Sequence, residues 1–450
     1  MIQLAKIVII GAGSGFGGRL SIDIMSREIL QDSTICLCDV HAGRLEKVRG
    51  YVQRTAERYN LPTKIVAGTD RRELLPGADF VVTSVSVGGG AYYGHPYKAE
   101  IEIPRKYGVE QSIADTTSVG AVFRFLRTGP VQHQFFRDIE ELCPDALVLN
   151  HTNPMAMLTW LHSVDSGVRN VGLCHGVQGT GMMLARAIGV PYDEISHWCA
   201  GINHLAWFLE FKRGKEDLYP LIWKAMEEQP ELLAKERVRF EIMKHFGYFP
   251  TESSPHDSEY VPYFRKTPEE MAEFGLTPRH VPDGPPSVRS WMRDTGVTGD
   301  ENLPVGELKR SREYTSGIIE AVLTNVPFSF NGNVMNTGLI TNLPEGCCVE
   351  VPCMVDGQGV HPCYVGDLPP QLAALNRSNI AVHELAVKAV LERDREAAFH
   401  ACALDPLTSA ILPLSKIREM FEELWEAEKD LLLWFDPSHK GPLPEPYALL

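Results

Sequence analysis

Lys6-Ile-Val-Ile-Ile-Gly-Ala-Gly-Ser-Gly-Phe-Gly17 decides the fold. Lys6 to Ile10 is a short apolar, β-branched run, which reads as a strand. The glycines follow at once, and a helical pattern then runs to about Leu30. Strand, Gly-rich turn and helix in that order are the context of a dinucleotide site. Gly11 permits the tight turn, and Gly13 lets the backbone approach a pyrophosphate. Ala12, Ser14 and Gly15 complete the loop, and the helix N-terminus favours the anion. A second strand, Thr34 to Cys38, ends at Asp39, near where a carboxylate would meet the adenosine ribose hydroxyls. The plainer reading is a Gly-rich turn with no ligand. The full succession favours NAD.

Alternation continues downstream. Tyr51 to Tyr59 reads as helix, Thr63 to Ala67 and Ala78 to Ser84 as strands, and Val85 to Gly90 as a loop at a strand's C-terminal end. Gly88 in that loop is placed for cofactor contact. Leu147 to Asn150 is the next strand, followed by His151-Thr-Asn-Pro154. Asn153 either caps a helix or presents its amide at the same sheet edge. Val168 to Leu173 leads into Cys174 and His175, and Cys199-Ala-Gly-Ile-Asn-His204 ends another apolar run. A thiolate and an imidazole from two such ends suit one metal ion, so Cys174 and His204 are candidate ligands. Most buried cysteines, however, are inert.

Beyond His204 the regularity stops. Helical patterns (Tyr219 to Glu227, Glu231 to Phe246) give way to a polar, Pro-rich stretch from Pro250 to Pro304. It contains Thr251-Glu-Ser-Ser-Pro-His256 and Glu259-Tyr260, a catalytic lid or solvated surface. Ser311-Arg-Glu-Tyr314 opens a helix to Asn325, with Ser311 as its expected N-cap. Pro327 to Asn331, Cys347 to Val355 and Val360 to Val365 read as strands. Pro370 to Arg395 and Leu414 to Leu432 read as helices, and the tail from Pro437 as loosely held. The expected fold is α/β: a Rossmann doubly wound parallel sheet over residues 1–200, then a mixed α+β substrate, metal and oligomerisation domain over 201–450.

The 450 residues are 44% hydrophobic and 22% charged, ordinary for a globular chain. With 43 basic and 58 acidic residues the net charge is −15, which repels nucleic acid and anionic membranes. No run of about 18 apolar residues predicts a membrane span. The start of the chain reads as a strand rather than a leader, and the ten cysteines form no disulfide-like framework. Reduced thiols in the cytoplasm are expected.

The motifs together resemble family 4 of the glycoside hydrolases, the NAD- and metal-dependent glycosidases, and within it the melibiase-type α-galactosidases. The carriers are Ile9 to Ser14, Asn153 to Ala156, Gly172 to Thr180, Cys199 to His204, Thr251 to Ser254, Ser311 to Tyr314, Asn336 to Pro344 and Cys347 to Val351. The resemblance covers about Lys6 to Asp405. It implies a fold related to lactate and malate dehydrogenases, and chemistry that departs from two-carboxylate hydrolysis. NAD⁺ takes hydride from sugar C3, a base removes the acidified C2 proton, and the C1–O bond breaks by elimination. Water then adds and the hydride returns. A divalent metal, with Mn²⁺ the family's usual ion, polarises O2 and O3.

The resemblance makes Cys174 and His204 the metal ligands and Tyr314 the base. The unperturbed phenol pKa is about 10, so the base would need help from the metal and Arg312. His175 is either the acid at the leaving oxygen or a sugar ligand. Asn153 and Arg312 are expected to contact sugar, and Asn153 also lies beside the cofactor. Two departures bear on specificity. Gly176 stands where melibiase-type members usually carry Ser, and Asp115-Thr-Thr-Ser-Val-Gly-Ala121 is less Gly-rich than its counterpart. α-Glucosidase and α-uronidase are therefore alternatives within the family. Outside it, the rivals are an NAD-dependent sugar or hydroxy-acid dehydrogenase and a non-catalytic NAD-binding regulator. A small-molecule α-glycoside substrate and a homodimer or homotetramer complete the expectations, with the apolar stripe of Pro370 to Arg395 as a candidate interface.

Overall fold

The computed structural model describes residues 5–89, 92–284, 305 and 307–444, with the backbone of 446–448. The end of the Pro-rich stretch, 285–304, lies outside the described residues.

The opening strand β1 (Lys6–Ile10) is buried on both faces from Ile7 onward, which is why its sequence is continuously apolar rather than alternating. It pairs in parallel with β2 (Thr34–Cys38), and β2 with β3 (Lys64–Gly68). On its other side come β4 (Phe80–Thr83), then, past the short β5 (Val85–Val87), β6 (Leu147–Asn150) and β7 (Asn170–Gly172), all parallel. The order β3-β2-β1-β4-β6-β7 is doubly wound, and it reverses direction between β1 and β4. The Rossmann expectation is met. In such sheets the ligand lies outside the strand ends at that reversal.

The same sheet continues past β7 with antiparallel strands. In chain order these are β8 (Ser196–Ile202), β9 (Leu205–Arg213), β10 (Glu216–Asp217), β11 (Phe328–Met335), β12 (Cys348–Asp356) and β13 (Gly359–Pro362). β11 joins β7 and β12 joins β8, so the two expected regions share one sheet. Two readings shift. The helix expected from Ser311 begins at Thr315; Ser311 donates its hydroxyl to Asp23 of helix α1 (Gly15–Met25) and accepts from Glu313 N at 3.2 Å, outside the helix. The tail is not free, since the backbone of 446–448 pairs with β5.

The helix Pro370–Glu392 packs against Arg395–Leu404, Met155–Asp165 and Ser118–Leu142. Its apolar stripe is covered within the chain, so it is not the oligomer surface that the sequence suggested. Under β5, Arg127 is fully buried, with one nitrogen 2.8 Å from Glu100 Oε1 and another 3.7 Å from Glu428 Oε2. It also donates to the Val87 carbonyl. This ties the loop at Gly88 to the C-terminal helix Leu414–Glu428. Removing one member would leave a buried charge uncompensated.

Gly11 sits at the reversal with φ +89°, and a Cβ there would lie 1.9 Å from the Ser84 carbonyl oxygen. Gly11→Ala is expected to cost about 3 kcal/mol or more and to abolish NAD binding, read by thermal denaturation and NAD titration. A variant of wild-type stability and affinity would refute this account of the turn.

Candidate active site

Two poles line one rim of the sheet. The first is the nucleotide cradle. Gly11 and Ala12 both donate N–H to the Cys38 carbonyl at 2.9 Å, folding the turn back over β2. Asp39 is 2% exposed. Its carboxylate accepts from Gly13 N at 3.0 Å and His41 N at 2.8 Å, so both oxygens are fixed by backbone. A Cβ at Gly13 would fall 2.7 Å from that carboxyl carbon. Ser14 spends its hydroxyl as N-cap, accepting from Gly17 N at 3.1 Å. Helix α1 carries no acid in its first turn, so its N-terminus stays positive. The residues fit a dinucleotide: glycine keeps side chains off the turn, the helix end suits a pyrophosphate, and Asp39 suits a ribose.

Gly88 has φ +83°, and its open side faces Leu431, at 2.8 Å from where a Cβ would stand. It closes the loop against the C-terminal segment. Asn153 donates to Asp115 Oδ2 at 3.0 Å.

The second pole is the donor cluster. Cys174 follows β7, and its Sγ accepts from Gly176 N at 3.3 Å, at the start of the helix Gly176–Ile188. His204 ends the two-residue turn between β8 and β9 with φ +62°. That conformation aims its ring across the rim, and Nε2 lies 3.2 Å from Cys174 Sγ. Glu252 joins them, its Oε1 3.5 Å from His204 Nε2 and 3.9 Å from Cys174 Sγ. Such a set of soft, intermediate and hard donors fits a divalent transition metal.

Behind it stand His256 and Asp115. His256 Nδ1 is 2.9 Å from Ser253 Oγ and 3.5 Å from Glu252 Oε2, while Nε2 is 3.7 Å from Asp115 Oδ1. Tyr92 donates its hydroxyl to Asp115 at 2.8 Å. Glu259 takes the N–H groups of Ser112, Ile113 and Ala114, holding the loop that carries Asp115. Tyr260 hydrogen-bonds Thr116, whose Oγ1 lies 3.1 Å from His204 Nδ1.

Burial opposes charge throughout, and the partners decide each case. Burial pushes the Cys174 thiol well up, with Glu252 adding to it, so a bound cation is what would make it a thiolate. For Asp115 burial is outweighed by His256, His204 and Arg124, and the carboxyl is held well below its usual range. His256 gains from Asp115, Glu252 and Glu259 more than burial takes, reaching about 9. Burial lowers His204 and raises Glu350 to about 8.

His175 is 67% exposed, and its Nδ1 is 3.3 Å from Glu313 Oε1, which raises its pKa. Glu313 lies between it and His151. Arg312 projects outward, and its carbonyl accepts from Gln178 Nε2 at 3.2 Å.

Tyr314, the expected base, stands among aromatic side chains. Its ring packs on Phe330 at 5.7 Å and Phe328 at 6.2 Å, and it hydrogen-bonds the Asn331 backbone. Burial drives its phenol well above the ordinary value, as it does that of Tyr260, so what separates the two is position: Tyr260 bonds Thr116 beside His204, whereas Tyr314 faces Phe328 and Phe330. The sequence reading did not assign Asp115, His256, Glu259 or Tyr260 to a site. For His256, Glu259 and Tyr260 the signal was the polar density of residues 251–260, which surface loops share.

A dinucleotide fold whose strand ends also carry a sulfur, nitrogen and oxygen donor set defines a redox-cofactor and metal type of enzyme scaffold. The chain belongs to the family 4 glycosyl hydrolases: residues 6–190 match the family's domain and residues 199–408 its C-terminal domain. It is a glycosidase. It is 42% identical to an α-galactosidase of Bacillus subtilis (strain 168), covering 95% of this chain and 99% of the relative. It is 35% identical to an α-galactosidase of Rhizobium meliloti (strain 1021), over 94% and 88%. The fold is shared with a 6-phospho-α-glucosidase from gut microorganisms, solved in complex with NAD and Mn²⁺ (TM-score 0.76, 19% identity, 95% of this chain and 99% of that one). It also extends to malate dehydrogenase from Plasmodium falciparum (TM-score 0.53, 15% identity, 89% and 100%).

The His256 imidazole should titrate near 9 in metal-free protein, and Asp115→Asn should bring it down. The folded value exceeds the unfolded one, about 6.5. The stability that pairing gives is therefore full below that pH and lost as pH rises through 9. NMR of the ring protons reads this directly. An unshifted His256 in the Asp115→Asn variant would contradict the pairing.

Proposed function

We propose that this enzyme cleaves α-galactosides with NAD and a divalent metal, Mn²⁺ first among candidates. The observation that carries the reading is the placement of the nucleotide cradle and the Cys174–His204 pair along one rim of one sheet. The identity to two α-galactosidases supports the galactoside preference. Gly11 to Gly15 and Asp39 would hold the cofactor, and Cys174 and His204 the metal. When bound, NAD supplies hydride acceptance and return, and the cation supplies Lewis acidity.

The chain's own groups handle protons and position. Asp115 fixes Asn153, whose amide oxygen is left to meet a sugar hydroxyl. His175 stands exposed beside Glu313, which favours its protonated form and suits donation to the leaving glycosidic oxygen. The C2 proton goes to Tyr260 rather than Tyr314 in this reading. Tyr260 reaches His204 through Thr116, so a cation on His204 is the charge that would bring its phenol down. The proposal extends to a cytoplasmic homo-oligomer. Among the described residues no helix is long and apolar enough to cross a membrane, and the cysteines are free thiols.

A panel of nitrophenyl glycosides with NAD⁺, Mn²⁺ and a reductant tests the reading. The α-galactoside should be cleaved fastest, without net NADH. Cys174→Ser and His204→Ala should each lose Mn²⁺-dependent turnover while binding NAD normally. Tyr260→Phe should lose about 10²–10⁴ in rate, and Tyr314→Phe far less. Stoichiometric NADH would mean a dehydrogenase instead. A full-rate Tyr260→Phe would place the base elsewhere.

A further inference from the structure

The second carboxylate oxygen and the backbone of Glu252 show that its position is built. Its φ is +72°, unfavourable for a residue with a side chain. Four hydrogen bonds hold it. Thr251 N donates to the Ala206 carbonyl at 2.8 Å and Thr251 Oγ1 accepts from Ala206 N at 3.2 Å, pinning the segment along β9. The Glu252 carbonyl accepts from Thr180 Oγ1 at 3.2 Å and from Arg239. His204, the residue it faces, is also left-handed, at φ +62°. Two strained residues aimed at one point need a shared purpose.

The carboxylate is split between two tasks. Oε2 faces His256, and Oε1 faces Cys174 and His204. The three donor atoms form a triangle with sides of 3.2, 3.5 and 3.9 Å. With ligand bonds of roughly 2.0–2.3 Å, such sides match one face of a coordination polyhedron. A carboxylate oxygen also supplies the hard donor that Mn²⁺ prefers and that thiolate and imidazole do not. Finally, Gly176 leaves the room: a Cβ there would stand 2.9 Å from Glu252 Oε1.

We propose that Glu252 is a third protein ligand of the metal, beside Cys174 and His204. The inference rests on the reading that Cys174 and His204 hold the metal. The thiolate and carboxylate together balance a divalent charge, so the ion is retained before substrate arrives. His256 holds the far oxygen as an outer-shell partner, the arrangement that orients ligating carboxylates.

The test is equilibrium Mn²⁺ binding to the full-length protein with NAD⁺ present and no glycoside. Free Mn²⁺ is read by electron paramagnetic resonance. Glu252→Gln should weaken binding about tenfold or more, with NAD affinity unchanged. Gly176→Ala leaves Glu252 in the chain but crowds Oε1, and should weaken Mn²⁺ binding as well. This second variant keeps the test open if Glu252→Gln folds poorly. Wild-type Mn²⁺ affinity in both variants, with affinity lost in Cys174→Ser, would overturn the Glu252 assignment alone. A raised KM would then make Glu252 a sugar contact. Wild-type affinity in Cys174→Ser and His204→Ala would instead overturn the metal reading itself.

Discussion

The approach of His204 Nε2 to Cys174 Sγ, at 3.2 Å, is the constraint on which the donor cluster depends. The two residues follow β7 and β8, which the sheet separates by β11 and β12. Neighbouring strands lie about 4.8 Å apart, so three steps would put the strands roughly 14 Å apart. The sheet resolves this by pairing β7 with β11 at one residue, Gly172 with Asn333, and β12 with β8 at one residue, Glu350 with Gly201. Both single pairings lie within three residues of the ligands. Beyond them the strand ends are free to lean together. The α/β half and the antiparallel half therefore meet where the donors converge.

That convergence is electrostatically costly and is offset locally. Cys174, His204, Glu252, His256 and Asp115 are mostly withdrawn from water, where an uncompensated charge would not persist. The carboxylates alternate with imidazoles, Asp115 to His256 to Glu252 to His204, so each charge has an opposite neighbour. Glu259 and Arg239 do not join that chain. They hold the backbones that carry it, through the N–H groups of residues 112–114 and the Glu252 carbonyl. Precision here comes from clamped backbone as much as from side-chain pairing.

The doubly wound half was legible because local rules governed it. β1, β2 and β6 fall where their apolar runs fall, and Asp39 follows β2 by the geometry of the crossover. Cys174 and His204 were legible as chemistry-bearing residues at strand ends. What stayed hidden depends on distant pairing. Asp115 lies in a loop that Glu259 holds against the helix Ser254–Tyr260, which carries His256. Tyr314 entered as the base through the family resemblance, and nothing in its local sequence shows its neighbours. Its actual surroundings, Phe328 and Phe330, come from a strand that is adjacent only after folding. Ser311 is likewise tied to a distant partner, Asp23 on helix α1, and the helix starts later, at Thr315.

The central claim is that a dehydrogenase-type cradle serves bond cleavage through transient acidification of sugar C2. Hydrolysis run to completion in D₂O, with NMR of the released sugar, tests it most directly. The account predicts deuterium at C2 and none at C3, because the C2 proton passes to a protein group while hydride leaves and returns without meeting solvent. Product bearing only hydrogen at C2 would contradict it, and would mark a conventional displacement at C1 on a scaffold that merely retains its nucleotide fold.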